Sequence, residues 1–369
     1  MEKVGVQHIE AAHVQMLDPL DCDRAVRTLP ALNAVADLGG LVTAAGSAVP
    51  NTREVADFSF PECLAAMRDL GIFAGSIKRH GAEPVEHVPG LEAALLNLSG
   101  RTGMIPRDTI HHYAVWNPLG LRERLYTGEQ MEILLKSSVR RSLPKITAAI
   151  ELCGSLHEVD PADIEFTFKV NELVTSLRSM EDAIESVVAT VTPEFFARSL
   201  RPYFEEFRVA GRSYLGPAAA HVPLALIDLC LWASDNGDAA YTEFWEDSAE
   251  HALPQLRPLY DRWPRKPSVV TRVADALRAR PDVPNVRASA EAVSRALRSL
   301  VNFRGKHYTI AKKAYAEEVG LYTTGSGGGT IALLDRIMTL TRDNSLLMRD
   351  SRRRADSARR QAGAKQCES

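Results

Sequence analysis

The chain has 369 residues, of which 45% are hydrophobic and 25% charged, the composition of an ordinary globular protein with one large or two moderate domains. Its formal net charge of −3 excludes a global attraction to nucleic acid or to an anionic membrane. The five cysteines form no CxxC pair, which argues against zinc ribbons, iron–sulfur clusters and thioredoxin chemistry and is typical of a reducing cytoplasm.

The N-terminal sequence and the hydropathy predict a cytoplasmic protein. The first eight residues lack the basic start and the apolar core of a signal peptide. The most apolar run, residues 223–232, is too short to span a membrane and contains Asp228. We therefore expect no membrane partner and no nucleic-acid partner, and the mild net charge is compatible with a monomer.

Helical periodicity of apolar residues dominates the chain, whereas the alternating pattern of half-buried strands is scarce. We therefore predict an all-α fold. Thr192 followed by Pro193 is typical of a helix start, because a threonine caps the first turn and proline fits its first position. The predicted helices cover residues 14–32, 61–77, 130–156, 163–190, 193–207, 223–234, 239–260, 269–279, 286–318 and 330–341.

Composition divides the chain into three predicted parts. Residues 81–126 are rich in proline, glycine and short apolar pieces, and we interpret them as the connection between a small N-terminal helical region (1–125) and a larger helical domain (126–348). Residues 349–369 have no apolar periodicity and predict a basic, disordered, solvated tail, with a nucleic-acid-binding arm as the alternative. The basic residues of this tail are Arg349, Arg352, Arg353, Arg354, Arg359, Arg360 and Lys365.

His307 is the most informative residue, because it lies on the apolar face of a predicted helix. None of the ten histidines falls in an HExxH pattern, and no GxSxG motif occurs. A neutral imidazole in an apolar interior is either a core histidine satisfied by a backbone carbonyl or the axial ligand of a haem iron, for which one histidine suffices. The other members of the apolar stripe are Val293, Leu297, Leu300, Phe303, Ala311 and Ala314.

A glycine-rich segment, Gly325-Ser326-Gly327-Gly328-Gly329, precedes the last predicted helix. Its backbone N–H groups and the helix start could bind a carboxylate or a haem propionate, or the segment could be a flexible linker. It is no Walker A loop, because no lysine follows the glycines, and no dinucleotide fingerprint, because a helix leads into it. Arg304, one turn before His307, could pair with a propionate or could be solvated.

A second cluster, residues 200–221, contains a glycine, a proline and three successive alanines. Small residues let the backbone approach a flat ligand closely, and a tight turn between helices is the alternative. Taken with other blocks of the chain, this cluster and the His307 region resemble the indoleamine 2,3-dioxygenase superfamily of haem-dependent aromatic oxygenases, and within it the monodechloroaminopyrrolnitrin synthase family of the pyrrolnitrin pathway. The blocks are residues 65–81, 88–92, 115–118, 200–203, 213–217, 303–304, 307, 314–315 and 325–328.

The resemblance implies two helical domains, with haem b buried in the larger one. It implies that His307 is the proximal iron ligand, that Arg304 binds a haem propionate, and that Asp228 pairs with Arg304. Other matched positions concern the distal haem face and the substrate. Gly216, Pro217 and Ala218 match a loop beside that face, and Tyr315 and Ser326, the latter flanked by Gly325 and Gly327, match positions that contact the amino-acid part of the substrate.

The implied activity is an oxidative rearrangement and decarboxylation of tryptophan or 7-chlorotryptophan to an aminophenyl-pyrrole, with dioxygen or peroxide and a reductant. Two alternatives stand beside it. One is dioxygenation or hydroxylation of the indole within the same superfamily, and the other is a non-catalytic haem sensor. Ala220 and His221 stand where the dioxygenases carry polar residues, which favours the pyrrolnitrin branch.

Overall fold

The computed structural model describes residues 10–217, 223–316, 322 and 329–367. Helices account for 74% of the structure, which confirms the predicted all-α class. The α-helices, α1 to α16 in chain order, are Ala11–Met16, Asp23–Ala34, Leu38–Ala48, Thr52–Asp57, Phe60–Arg79, Pro84–His87, Leu91–Thr102, Gln130–Leu156, Ile164–Thr190, Leu224–Asp228, Ser234–Asn236, Ala239–Ala249, Arg257–Arg262, Val269–Ala279, Pro284–Ala314 and Ile331–Cys367.

Short irregular helical turns connect several of these helices. The π-helical turns are His111–Val115, Phe195–Leu200 and Leu229–Ala233, and the 3₁₀ turns are Gly120–Arg122, Arg201–Phe204 and Trp263–Arg265. Two strands, β1 (Phe207–Val209) and β2 (Arg212–Tyr214), form an antiparallel hairpin in which Phe207 faces Tyr214. The predicted helix over 193–207 is therefore wrong in its second half, where a 3₁₀ turn that contains Pro202 begins at Arg201 and the hairpin follows.

The N-terminal helices pack around α5, which is buried from Cys63 to Ile77. Its start is fixed by a capping box, because Ser59 and Glu62 each bind the backbone N–H of the other. The predicted helix over 14–32 is two helices, α1 and α2. The Asp18 carboxylate accepts hydrogen bonds from the N–H groups of Cys22 and Asp23, both at 2.9 Å, and so begins α2 there.

The sequence interpretation of residues 81–126 as a connection misses the helices and the buried residues that they contain. They contain α6 and α7, and α7 packs on α5. Arg107 and His112 of this segment are fully buried, and the Arg107 side chain donates to the carbonyl oxygens of Glu205 and Tyr214, at 2.7 and 2.8 Å. The segment is therefore part of the core, and it anchors the β1–β2 hairpin.

Four long helices dominate the rest of the chain. Helix α9 packs against both α8 and α15, and α16 packs against α15 and α14. The predicted apolar stripe of α15 is confirmed, because Val293, Leu297, Leu300, Ala311 and Ala314 are all buried. The buried apolar residues form one cluster that extends from Val14 to Met348, and the proposed domain boundary at residue 125 stays a prediction.

Helix α16 continues to Cys367, where the sequence predicts a disordered tail. The residues after 348 are mostly arginine, alanine and glutamine, which favour helix without needing an apolar stripe. The missing apolar periodicity is therefore compatible with a helix. No helix in the described part of the chain has the length and hydropathy that a membrane crossing needs.

Candidate functional site

A cavity of about 300 Å³ lies among α8, α9, α10, α12, α15 and the start of α16. Its walls are mainly apolar, and a few polar groups are placed among them, which is the usual composition of a small-molecule site. The apolar walls include Leu135, Val139, Ile146, Met180, Ile184, Val187, Phe196, Leu224, Phe244, Phe303, Ile310, Leu334 and Ile337. The polar groups include Ser138, Ser142, Asp228, Tyr241, Ser248, Tyr260, Arg304, His307 and Tyr315.

Helix α15 presents one face to this cavity. Phe303, His307 and Ile310 border it, as do Ala311 and Ala314, so the helical spacing read from the sequence places His307 on the cavity wall. The rings of Phe303 and His307 are stacked, with centroids 5.8 Å apart and an angle of 20° between their planes. This stacking helps to orient the plane of the imidazole ring.

The imidazole of His307 borders the cavity in its neutral form. Burial, assisted by the positive charge of Arg304, lowers its pKa below the ordinary value. Among the described residues, neither ring nitrogen has a hydrogen-bond partner, so no described carbonyl satisfies it as a core histidine would require. The side chain is half-buried because it borders the cavity. A neutral imidazole with a free nitrogen at a cavity can ligate a transition metal, including the iron of a haem.

The predicted pair of Asp228 and Arg304 is confirmed. The two side chains form a buried ion pair that joins α10 to α15 across 76 positions of sequence. Asp228 also accepts hydrogen bonds from Tyr241 and, at 2.9 Å, from the indole nitrogen of Trp232. Arg304 donates in addition to the hydroxyl of Thr341 on α16. This network connects α10, the π-helical turn that follows it, α12, α15 and α16 near His307.

The other predicted site residues differ in whether they border the cavity. Tyr315, the C-cap residue of α15, borders the cavity. Gly216 and Pro217 are buried but do not border the cavity within the described residues. A Cβ at Gly216 would lie 2.6 Å from the carbonyl oxygen of Phe204, so only glycine allows this close approach. The remaining predicted site residues, Ala218, Gly325, Ser326 and Gly327, lie outside the described residues.

Tyr322 connects the segment that follows α15 to the second sequence cluster. Its hydroxyl donates to the Glu205 carboxylate at 2.6 Å, and the Arg201 guanidinium lies 4.3 Å from the centre of its ring. Both partners belong to the 3₁₀ turn Arg201–Phe204 or follow it directly. The two clusters that the sequence singled out are therefore in contact at this residue.

Sequence reasoning missed several residues of this site. Tyr241 and Phe244 come from α12, and their rings stack with centroids 6.4 Å apart. No periodic signal connects α12 with α15. Trp232 could have been found, because it lies four positions after Asp228 on one helical stretch and therefore on the same face.

A second group of potential metal ligands, Asp18, Cys22 and Asp69, lies within 4.8 Å and is structural. Asp69 is paired at 2.8 Å with Arg68 and with Arg124. Burial raises the pKa of the Cys22 thiol and keeps it protonated. These ligand atoms are thus already used by the protein.

The model of the family described as "Monodechloroaminopyrrolnitrin synthase PrnB" matches residues 35–364. The match includes the cavity and every polar residue named on its wall.

Proposed function

The chain belongs to the monodechloroaminopyrrolnitrin synthase family, and we propose that it carries out this chemistry on haem b held by His307 in the cavity. It is an oxidative enzyme of pyrrolnitrin biosynthesis with a monodechloroaminopyrrolnitrin synthase-like function. Its substrate is derived from tryptophan. The finer proposal is that tryptophan or 7-chlorotryptophan is rearranged to an aminophenyl-pyrrole with loss of the carboxyl group.

The residues present fit a haem. The cavity is lined mainly by apolar side chains, which suits the faces of a porphyrin. One neutral imidazole borders it, and this ring has no hydrogen-bond partner among the described residues. A guanidinium lies one helical turn away on the same helix. Since a porphyrin supplies four iron ligands itself, a single histidine meets the remaining need on the protein side.

In this proposal Arg304 binds a propionate of the haem. Its guanidinium has five N–H donors, of which one is used by Asp228 and one by Thr341. The remaining donors are available to an anion. Asp228 holds the arginine in place, and its negative charge keeps the buried pair neutral when no anion is bound.

The haem, when bound, would supply the oxidising chemistry, with dioxygen or peroxide and a reductant as co-reactants. The chain's own residues bind the substrate, orient it and exclude water. The apolar walls accept the aromatic ring of the amino acid. We propose that Tyr315 orients its amino-acid part together with Ser326 and the flanking Gly325 and Gly327.

The segment Gly216 to Ala218 is proposed to lie beside the distal face of the haem. The close approach of Gly216 to the Phe204 backbone supports a fixed position for its start. Cytoplasmic location and a monomeric state are further parts of this proposal, and the net charge of −3 is compatible with both.

The single observation that carries the proposal is the His307 imidazole at the cavity wall, which has no hydrogen-bond partner among the described residues. The test is to add haemin to the purified protein and to record the absorption spectrum. We expect one equivalent to bind and to give the Soret band of histidine-ligated haem, and we expect tryptophan to perturb that band. The absence of a specific Soret band would overturn the proposal.

A further inference from the structure

Tyr241 is buried in the cavity wall, and its ring and its hydroxyl are both held. The ring stacks on Trp232, with centroids 5.5 Å apart and an angle of 13° between the planes. Its other neighbour in the stack is Phe244. The hydroxyl donates to Oδ2 of Asp228. The stack therefore holds the hydroxyl oxygen of Tyr241 beside the Asp228 carboxylate.

The carboxylate of Asp228 divides its charge among three donors. Oδ1 accepts from Trp232, while Oδ2 accepts from both Tyr241 and Arg304. Tyr241 remains neutral at all physiological pH values, because burial and the nearby Asp228 charge raise its pKa well above the ordinary value. It thus contributes a hydrogen bond and no charge, and it competes with Arg304 for the same oxygen.

This competition for Oδ2 determines how many N–H donors of Arg304 remain for a ligand in the cavity. Without Tyr241, one lone pair of Oδ2 would be free to accept a second N–H of the guanidinium. Arg304 would then turn toward Asp228, and fewer of its donors would face the cavity. With Tyr241 present, one guanidinium nitrogen contacts Asp228 and the other contacts Thr341.

We propose that Tyr241 is a positioning residue, which holds the Asp228 carboxylate so that Arg304 presents its remaining N–H groups to an anionic group bound in the cavity. This inference rests on the proposed function, in which that anion is a haem propionate. Tyr241 acts only through Asp228 and Arg304, so its contribution depends on the negative charge of the ligand.

The experiment compares Tyr241→Phe with Tyr113→Phe, each loaded with haemin. Tyr113 is a matched control, because its buried hydroxyl also donates to a buried carboxylate, Glu132 at 2.8 Å, outside the cavity. The rate of haemin transfer to excess apomyoglobin is measured for both variants and for the wild type. Thermal melting shows that each variant is folded.

We expect Tyr241→Phe to release haemin at least about tenfold faster than the wild type, and Tyr113→Phe to release it at the wild-type rate. With haemin dimethyl ester, which lacks the negative charges, Tyr241→Phe and the wild type are expected to release at equal rates. A role of Tyr241 in packing alone would instead accelerate the release of both compounds by the same factor.

Equal release of haemin by Tyr241→Phe and the wild type would overturn the inference. The same acceleration with haemin and with its dimethyl ester would also overturn it, because the effect would then be one of packing. A wild-type protein that binds no haemin would instead overturn the proposed function, and this inference with it.

Discussion

The guanidinium of Arg304 pairs with the buried carboxylate of Asp228 at the wall of the cavity that His307 borders. Asp228 is fully buried and Arg304 is only 8% exposed, so neither charge can be satisfied by water. A pair of this kind is expected to fix the direction of the arginine rather than to add much net stability. It therefore defines the polar end of an otherwise apolar cavity.

Replacement of Asp228 by asparagine is expected to destabilise the protein strongly, because it leaves the Arg304 charge buried without a counter-charge. We expect the free energy of unfolding in urea to fall by about 3–5 kcal/mol. Asp160→Asn is the control, since Asp160 pairs with Arg280 at the surface, where the two side chains are 48% and 40% exposed. That change should cost less than about 1 kcal/mol, and equal losses in the two variants would contradict the account.

Substitution of Gly216 by alanine is expected to destabilise the protein, because the new methyl group would lie 2.6 Å from the Phe204 carbonyl oxygen. The opposing atoms belong to the backbone, so they cannot move away cheaply, and we expect a loss of about 1–3 kcal/mol. Gly305→Ala is the matched control within α15, where nothing lies within 4 Å of the added Cβ. This control should stabilise the protein by about 0.5–1 kcal/mol, as measured by urea unfolding.

His111 is expected to make the protein less stable in weak acid. It is buried, and burial lowers its pKa from 6.5 to about 4. The unfolded chain therefore binds a proton first, so the contribution of His111 is complete above pH 6.5 and is lost as the pH falls toward 4. In the same segment, burial raises the pKa of Asp108 to about 6, which opposes this loss.

The measurement is the free energy of unfolding of the wild type and of His111→Phe at pH 8 and at pH 5. The variant removes the titrating group and keeps an aromatic ring of similar size, so we expect its stability to fall less between the two pH values. The neighbouring charges, Asp108 and Arg107 on the same segment and Arg68 on α5, are unchanged. The same pH dependence in both proteins would show that folding does not lower the pKa of His111.

Tyr322 is expected to contribute to stability through its hydroxyl and its ring separately. Tyr322→Phe removes the hydrogen bond to Glu205 and keeps the contact with Arg201, so we expect a loss of about 0.5–1.5 kcal/mol. Tyr322→Leu removes both interactions and should cost about 0.5–1 kcal/mol more. If the two variants unfold at the same urea concentration, the guanidinium contributes nothing to holding this residue.

Features that depend on one helix face were predictable from the sequence. The stripe on α15 predicts where His307 points, because helical spacing alone determines it. The pair of Asp228 with Arg304 was available only from the resemblance, because no local pattern connects α10 with α15. Tyr241 was missed for the same physical reason, since contacts between distant helices are determined by packing and not by local periodicity.

Some helix starts have capping residues that are recognisable in the sequence. Asp18 begins α2 by capping, and Asn51 with Glu54 forms a capping box at the start of α4. Helix α3 contains Gly39, Gly40 and Gly46, and glycine has a low helix propensity. Packing against α5 stabilises this helix. In each case the capping side chain or the packing against α5 determines where the helix forms.

The most direct test of the central claim, that His307 ligates a haem iron, is the absorption spectrum of His307→Gly reconstituted with haemin, with and without added imidazole. The glycine leaves a space into which free imidazole fits, so we predict that the wild-type Soret band is lost in the variant and is restored by millimolar imidazole. Phe303→Leu, which removes the stacked ring and keeps the histidine, should retain the band without imidazole. A His307→Gly protein whose haemin spectrum equals that of the wild type in the absence of imidazole would contradict the claim.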